Sequence, residues 1–148
     1  MRNVECGIDI NVVPEKVIDA FIDPEQLQGW WSVERCFMDT KIGGTYLLLW
    51  GVSDAGVKYM NAGIIESFHP SDHLHISNWM YVNPEKQILG PQHLKIDVSA
   101  SSTGSIVRLT QGDYPENAGA DWEWYYEVVR DAWPFVLKEL KKYLENRK

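Results

Sequence analysis

The hydrophobic pattern changes period along the chain, and this change limits the fold more than any other feature of the sequence. Between Gly43 and about Gly112, apolar and polar residues alternate along consecutive segments separated by turn sequences, which is typical of an antiparallel sheet. After Gly112 the apolar spacing becomes three and four residues, which predicts one amphipathic helix over about 122–145. A single antiparallel sheet has one face to bury, and this helix is the long element available to cover it.

The N-terminal segment adds a strand and two short helices. Residues 4–12 alternate like a half-buried strand, and residues 14–22 have apolar side chains at helical spacing. Asp23 is a good N-cap for a second short helix, which Gly29 is expected to end. We therefore expect two short helices between the first and second strands, where they would close one end of a curved sheet.

The composition predicts one domain over residues 1–148 and argues against several functions. The formal charge is −7, without a basic stripe, so no nucleic-acid partner is expected. The sequence has no apolar run of about 18 residues, which predicts no membrane span. Cys6 and Cys36 are too few for a disulfide scaffold or a zinc site and indicate reduced thiols. We expect a cytoplasmic protein that needs no cofactor.

Large aromatic residues are more frequent than a core of this size needs. The chain has seven Trp and seven Tyr, and rings with a polar tip suit half-solvated cavities. We predict a cavity lined by Trp31, Tyr46, Leu48, Trp50, Tyr59, Asn61, Trp79, Tyr81, Gln111, Trp124, Glu127 and Val128. The alternative is that all the rings pack in the core or on the outer face of the sheet. Of the adjacent pair, we assign Trp30 to packing and Trp31 to the rim of the cavity, although the sequence also allows the reverse.

Four segments together resemble a known family. They are INVVPEKVIDAFIDPEQLQGWW, IGGTYLLLW, GIIESFHPSDHL and DAWPFVLKELKKYLE, and the resemblance covers the chain roughly from Ile8 to Leu144. They are similar to proteins related to the C-terminal domain of the activator of the heat-shock-protein-90 ATPase, in the START-like, birch-pollen-allergen-like superfamily. The resemblance implies an α+β helix-grip fold. In this fold a curved antiparallel sheet of about six strands surrounds a long C-terminal helix, with two short helices between strands one and two.

The resemblance implies that the domain binds a hydrophobic or amphipathic small molecule in an internal cavity, without catalysis. One alternative is a protein-interaction module, chaperone-linked or homodimeric through the outer sheet face at Leu47 and Leu49. A second alternative is a cavity-based cyclase, dehydratase or hydrolase, which would need a buried ionisable residue on the cavity wall. Glu127 and the four histidines are the candidates for that residue.

Three histidines close together in the sequence form a candidate metal site. His73 and His75 fall on one face of a predicted strand, and His69 precedes them at the turn. A clear third ligand is missing beyond Asp72, so we interpret these histidines as solvent-facing and predict no metal.

Overall fold

One antiparallel sheet of seven strands curves around the C-terminal helix in the computed structural model, which describes residues 1–147. In chain order, the elements are strand β1 (Arg2–Ile10), helices α1 (Pro14–Ile22) and α2 (Pro24–Trp31), strands β2 (Arg35–Met38), β3 (Thr45–Ser53), β4 (Gly56–His69), β5 (His73–Val82), β6 (Leu89–Ser101) and β7 (Gly104–Tyr114), and helix α3 (Ala120–Asn146). The strand order is β1-β7-β6-β5-β4-β3-β2, and every neighbouring pair is antiparallel. The predicted helix-grip architecture is confirmed.

Helices α1 and α2 close one end of the curved sheet, as their position in the sequence predicted. Asp23 caps α2, because its side chain accepts a hydrogen bond from the Glu25 amide at 3.1 Å. The apolar residues of the two helices are buried, among them Ile18, Phe21 and Leu27, each with no measurable exposure. This helix pair therefore fills the space under one end of the sheet and leaves the other end free for a cavity.

Two local details differ from the sequence prediction. The four-residue edge strand β2 was not predicted, because so short a segment lacks a readable hydrophobic period. Helix α2 continues past Gly29 to Trp31 and ends at Ser32, whose φ of 58° is left-handed. A Cβ atom on Gly29 would lie 2.7 Å from the Tyr143 ring, so this glycine lets α2 approach α3 closely.

A bulge in β5 decides which residues of that strand face inward. The pairing between β5 and β6 shifts register between Ile76 and Trp79, where Asn78 adopts a positive φ of 51°. Consequently Ile76 faces the core before the bulge, and Trp79 faces it after the bulge. A second register shift lies at Gly63 in the neighbouring strand, between Ala62 and Ile64, and a Cβ atom on Gly63 would lie 2.4 Å from Ile76 Cγ2.

None of the helices within residues 1–147 is long and apolar enough to cross a membrane.

Candidate ligand-binding cavity

A cavity of about 590 Å³ lies between the inner face of the sheet and α3, at the end that α1 and α2 do not fill. Sixteen residues line it: Trp31, Ser32, Trp50, Tyr59, Asn61, Trp79, Tyr81, Asn83, Gln111, Trp124, Tyr125, Val128, Val129, Ala132, Trp133 and Val136. Among these residues, Ser32, Val128 and Ala132 are exposed to solvent. The cavity therefore opens to solvent beside α3 and does not require unfolding for access.

The structure places nine of the twelve predicted lining residues around this cavity. These nine are Trp31, Trp50, Tyr59, Asn61, Trp79, Tyr81, Gln111, Trp124 and Val128. All nine side chains border the cavity, and the prediction that they bind a ligand stays a prediction.

Tyr46 and Leu48 were wrongly predicted to line the cavity. Both face inward as expected, but they lie at the end of β3 that α1 and α2 cover. The Tyr46 hydroxyl donates a 2.6 Å hydrogen bond to the carbonyl oxygen of Phe21 in α1. Trp50, further along the same face, is the residue of this strand that reaches the cavity.

Glu127 was also wrongly assigned to the wall. It is exposed on α3, whereas its neighbours Trp124 and Val128 line the cavity. A helix turns about 100° per residue, so a glutamate beside cavity-facing positions can still point to solvent.

Seven lining residues were missed: Ser32, Asn83, Tyr125, Val129, Ala132, Trp133 and Val136. Tyr125, Val129 and Trp133 recur at four-residue spacing along α3, so the helical period could have found them. The helix was expected to cover the sheet, and part of its apolar stripe also borders open space. Ser32 and Asn83 lie at chain turns, where the sequence offers no comparable signal.

Gln111 joins the sheet to α3 at the cavity through its side-chain amide. Its Nε2 donates to Gln92 Oε1 at 3.1 Å and to the Tyr125 hydroxyl at 3.0 Å. Its Oε1 accepts a hydrogen bond from Trp133 Nε1 at 2.9 Å. Because both hydrogens of this amide and its oxygen are engaged, Gln111 acts first as a support for two cavity rings.

The rings of the cavity wall hold one another in place. Trp31 lies 5.3 Å from Trp50 and 5.2 Å from Trp133, measured between ring centroids. Tyr81 and Tyr125, also in the wall, stack at 4.8 Å. Trp50 Nε1 also donates a hydrogen bond to the Trp31 carbonyl oxygen at 3.1 Å. The wall is therefore a preformed aromatic surface.

The cavity wall is uncharged. Its lining, taken within the described part of the chain, contains no Asp, Glu, Lys, Arg, His or Cys. Burial raises the pKa of the Tyr81 hydroxyl and that of the Tyr125 hydroxyl, so both stay protonated at neutral pH.

A charged pair lies beside the wall. Lys86 Nζ is 4.5 Å from the centroid of the Trp124 ring and 3.8 Å from the Asp121 carboxylate.

The four histidines lie outside the cavity wall, so neither they nor Glu127 supply the ionisable wall residue that catalysis would need. His73 contacts the Asp72 carboxylate and the Ser67 hydroxyl, each at 2.6 Å, and His75 contacts Asp97 at 2.7 Å. The hydrogen bond from His73 lowers the pKa of Asp72. Across residues 1–147, no three His, Cys, Asp or Glu side chains are grouped to hold a metal ion.

A curved antiparallel sheet closed by two short helices, with an aromatic cavity under its C-terminal helix, defines a helix-grip domain. A family model described as Activator of Hsp90 ATPase homolog 1-like protein matches residues 11–145. The chain belongs to this family, within the START-like superfamily.

Solved structures share this fold at low sequence identity. A protein from Mesorhizobium loti is 16% identical, with a TM-score of 0.78 over 99% of each chain. A protein from Cytophaga hutchinsonii is 24% identical, with a TM-score of 0.72 over 99% of this chain and 96% of the other. The Aha1 dimer from Colwellia psychrerythraea gives 16% identity and a TM-score of 0.69, over 95% of this chain and 94% of that one. A comparison with curated proteins found no match.

Proposed function

We propose that this domain binds a hydrophobic or amphipathic small molecule in the cavity beneath α3, without catalysing its conversion. The observation that supports this function is an open cavity of about 590 Å³ walled by aromatic rings. Small-molecule sites in proteins are mostly apolar clefts of roughly 300–1,000 Å³ that contain a few placed polar groups. Asn61, Asn83 and Gln111 are the amide side chains of this wall.

We expect the domain to act in the cytoplasm, since Cys6 and Cys36 are free thiols.

A titration with Nile red, an uncharged dye that fluoresces in apolar surroundings, tests this proposal. We expect one site per chain with micromolar affinity, or about −8 kcal/mol. Ala132→Trp should abolish binding, because Ala132 is an exposed wall residue and a large ring there would fill the opening. Its stability should change little, because the substituted position is at the surface.

Glu127→Trp is the matched control for this experiment. It places the same ring on the same helix, at an exposed position that does not line the cavity. Nile red affinity should therefore equal that of the unmodified chain. Absence of binding to the unmodified chain, or equal binding by both variants, would refute a ligand site in this cavity.

A second candidate function is association of two copies through the outer face of the sheet. Leu47 and Leu49 are half-buried on this face, beside Phe37, which is 57% exposed, and Ile64, which is 36% exposed. An exposed apolar patch of this kind favours a partner surface. The relative from Colwellia psychrerythraea was solved as a dimer.

Light scattering coupled to size-exclusion chromatography tests this second candidate. We expect a dimer that Phe37→Asp converts to a monomer. Ile42→Asp is the control, because Ile42 is 75% exposed but lies outside the strands. A monomeric unmodified chain, or a dimer that survives Phe37→Asp, would exclude pairing through this face.

A further inference from the structure

Three side chains on the outer face of the sheet form a hydrogen-bonded chain that lies outside the cavity. The Ser67 hydroxyl is 2.6 Å from His73 Nε2, and His73 Nδ1 is 2.6 Å from the Asp72 carboxylate. None of these three residues lines the cavity beneath α3. A hydroxyl, an imidazole and a carboxylate in this order form the arrangement that activates serine in hydrolases of unrelated folds.

A bulge in β4 brings Ser67 to this face. Ile65 pairs with Ile76 and Ser67 pairs with His75, so one extra residue of β4, Glu66, stands between the two pairs. In a regular strand, Ser67 would point to the same side as Ile65, which is fully buried. The bulge therefore turns the Ser67 hydroxyl toward the histidines of β5.

The two hydrogen bonds of His73 assign its proton to Nδ1. An ionised Asp72 carboxylate can only accept, so His73 donates from Nδ1 and leaves Nε2 to accept from the Ser67 hydroxyl. The hydrogen bond from His73 lowers the pKa of Asp72, which keeps this carboxylate ionised at neutral pH. The Asp72 backbone is anchored too, since its amide donates to the His69 carbonyl oxygen and its carbonyl oxygen accepts from the Val98 amide. His73 is therefore oriented as a base for Ser67.

Only one of the four histidines has both contacts. Within residues 1–147, His73 alone lies in hydrogen-bond distance of a hydroxyl and of a carboxylate. His69 contacts a hydroxyl without a carboxylate, that of Ser71 at 3.2 Å. His75 contacts a carboxylate without a hydroxyl, that of Asp97 at 2.7 Å. These neighbours provide matched comparisons for His73 on the same surface.

A substrate can reach Ser67 from solvent, and a cation lies in the same row of the sheet. Ser67 and His73 are half-buried and Asp72 is exposed. Lys95 pairs with His75, which pairs with Ser67, so Lys95 is two strands away on the same face. A strand spacing of about 4.8 Å places the two Cα atoms about 10 Å apart, a distance that a lysine side chain and a small substrate can bridge. None of the ion pairs within residues 1–147 involves Lys95, so its ammonium can stabilise negative charge that develops on a substrate oxygen.

We propose that Ser67, His73 and Asp72 form a second site, separate from the ligand cavity, that hydrolyses esters of small carboxylic acids through an acyl-serine. Ser67 Oγ bonds to the ester carbonyl carbon while His73 Nε2 takes the hydroxyl proton. The bond from this carbon to the alcohol oxygen then breaks, and His73 returns the proton to the leaving alcohol. Water repeats both steps on the acyl-serine, with His73 again taking and returning a proton, and the carboxylic acid departs. Asp72 is the positioning residue that holds the imidazole.

p-Nitrophenyl acetate tests this proposal, because its phenolate absorbs on release and its acetyl group adds mass to the chain. We expect a burst of one p-nitrophenolate per chain, followed by slower turnover. Mass spectrometry after an acid quench should find one acetyl group, which peptide mapping locates at Ser67. Acetylation at a histidine or at Lys95 in place of Ser67 would reflect ordinary surface reactivity and overturn the proposal, as would release no faster than in buffer.

Variants assign the role of each group. Ser67→Ala should abolish the burst, and His73→Gln should lower the acylation rate about 100-fold or more, as loss of a general base does. Ser71→Ala is the matched control, because its hydroxyl contacts His69, which has no carboxylate partner, and the burst should persist. An unchanged burst in Ser67→Ala, or an equal loss in Ser71→Ala, would refute Ser67 as the nucleophile.

Asp72→Asn tests the positioning role. An asparagine amide can donate to His73 Nδ1 and so place the imidazole proton on Nε2, and we expect acylation to slow at least about tenfold. NMR of the imidazole nitrogens should show the His73 proton on Nδ1 in the unmodified chain and on Nε2 in the variant, a change that misfolding alone would not produce. An unchanged rate, or the same tautomer in both chains, would exclude this role for Asp72. Circular dichroism checks that each variant is folded, and the result is independent of Nile red binding in the cavity.

Discussion

The indole rings of Trp30 and Trp31 stack at 5.2 Å with 16° between their planes, yet they lie in different environments. Trp30 is 6% exposed, meets Phe21 edge to face at 5.1 Å, and donates from Nε1 to the Ala20 carbonyl oxygen at 2.9 Å. Trp31 is only partly buried and lines the cavity. The stack thus joins the α1–α2 pair, which closes one end of the sheet, to the cavity wall.

Trp30→Ala should therefore be far more damaging than Trp31→Ala. We expect Trp30→Ala to lower the free energy of unfolding by about 3–5 kcal/mol, as large core truncations do. Trp31→Ala should cost less, because one side of its ring borders open space. Urea denaturation followed by circular dichroism measures both values, and equal losses would contradict the assignment of Trp30 to the core.

Gln111 should stabilise the domain by satisfying buried partners. Gln111→Leu leaves Trp133 Nε1 without its acceptor, and we expect a loss of about 2–3 kcal/mol from this and the other broken bonds. The added change Trp133→Phe removes that orphaned donor, so the double variant should lose less than the sum of the single losses. Gln28→Leu, an exposed position on α2, is the control and should stay within about 0.5 kcal/mol. Strict additivity of the two losses would argue against the hydrogen bond.

Tyr46→Phe should separate stability from binding. The substitution removes the buried hydrogen bond to the Phe21 carbonyl oxygen, so the free energy of unfolding should fall by about 1–3 kcal/mol. Nile red affinity should remain unchanged, because Tyr46 does not line the cavity. Weaker dye binding by a folded Tyr46→Phe variant would show that the cavity extends further along β3 than the structure places it.

The Cys6 thiol should react slowly at neutral pH. Burial raises its pKa from 9.0 to about 11, so few thiolates are present below that pH. In a Cys36→Ser background, the alkylation rate with iodoacetamide should reach half its maximum near pH 11 for the folded chain and near pH 9 in urea. A folded-state midpoint near 9 would contradict this prediction.

The same shift fixes the sign of a stability effect. The folded state holds the Cys6 proton more tightly than the unfolded state does. The stabilisation that this gives the folded state is therefore complete below about pH 9 and is lost as the pH rises toward 11. The free energy of unfolding should therefore fall over this range, and it should fall less steeply for Cys6→Ser. The difference between the two chains isolates Cys6 from tyrosines that titrate in the same direction.

The fold could be predicted because its main signals are local. The period of α3 and the Asp23 cap can be read within a few residues, and both survive in the structure. The prediction that Tyr46, Leu48 and Trp50 of β3 face inward was also correct. The alternating pattern does not say where along the strand an inward side chain meets α1 and where it meets open space.

The alternating hydrophobic pattern does not predict the bulge at Asn78. Simple alternation along β5 places His73 and His75 on the same face as Trp79. The extra residue at the bulge reverses the parity, so the histidines stay with the outer carboxylates while Trp79 turns to the cavity. Only the pairing with neighbouring strands, a long-range property, reveals this reversal.

The distribution of indoles gives the protein an optical property. Five of its seven tryptophans border the cavity: Trp31, Trp50, Trp79, Trp124 and Trp133. Intrinsic fluorescence will therefore come mostly from rings that touch any cavity occupant, and Trp30 can pass its excitation to Trp31 through their stack. A bound ligand that absorbs in the near ultraviolet should quench most of this emission, because energy transfer is efficient at contact distance. Occupancy could then be followed in unlabelled protein, in real time and inside mixtures.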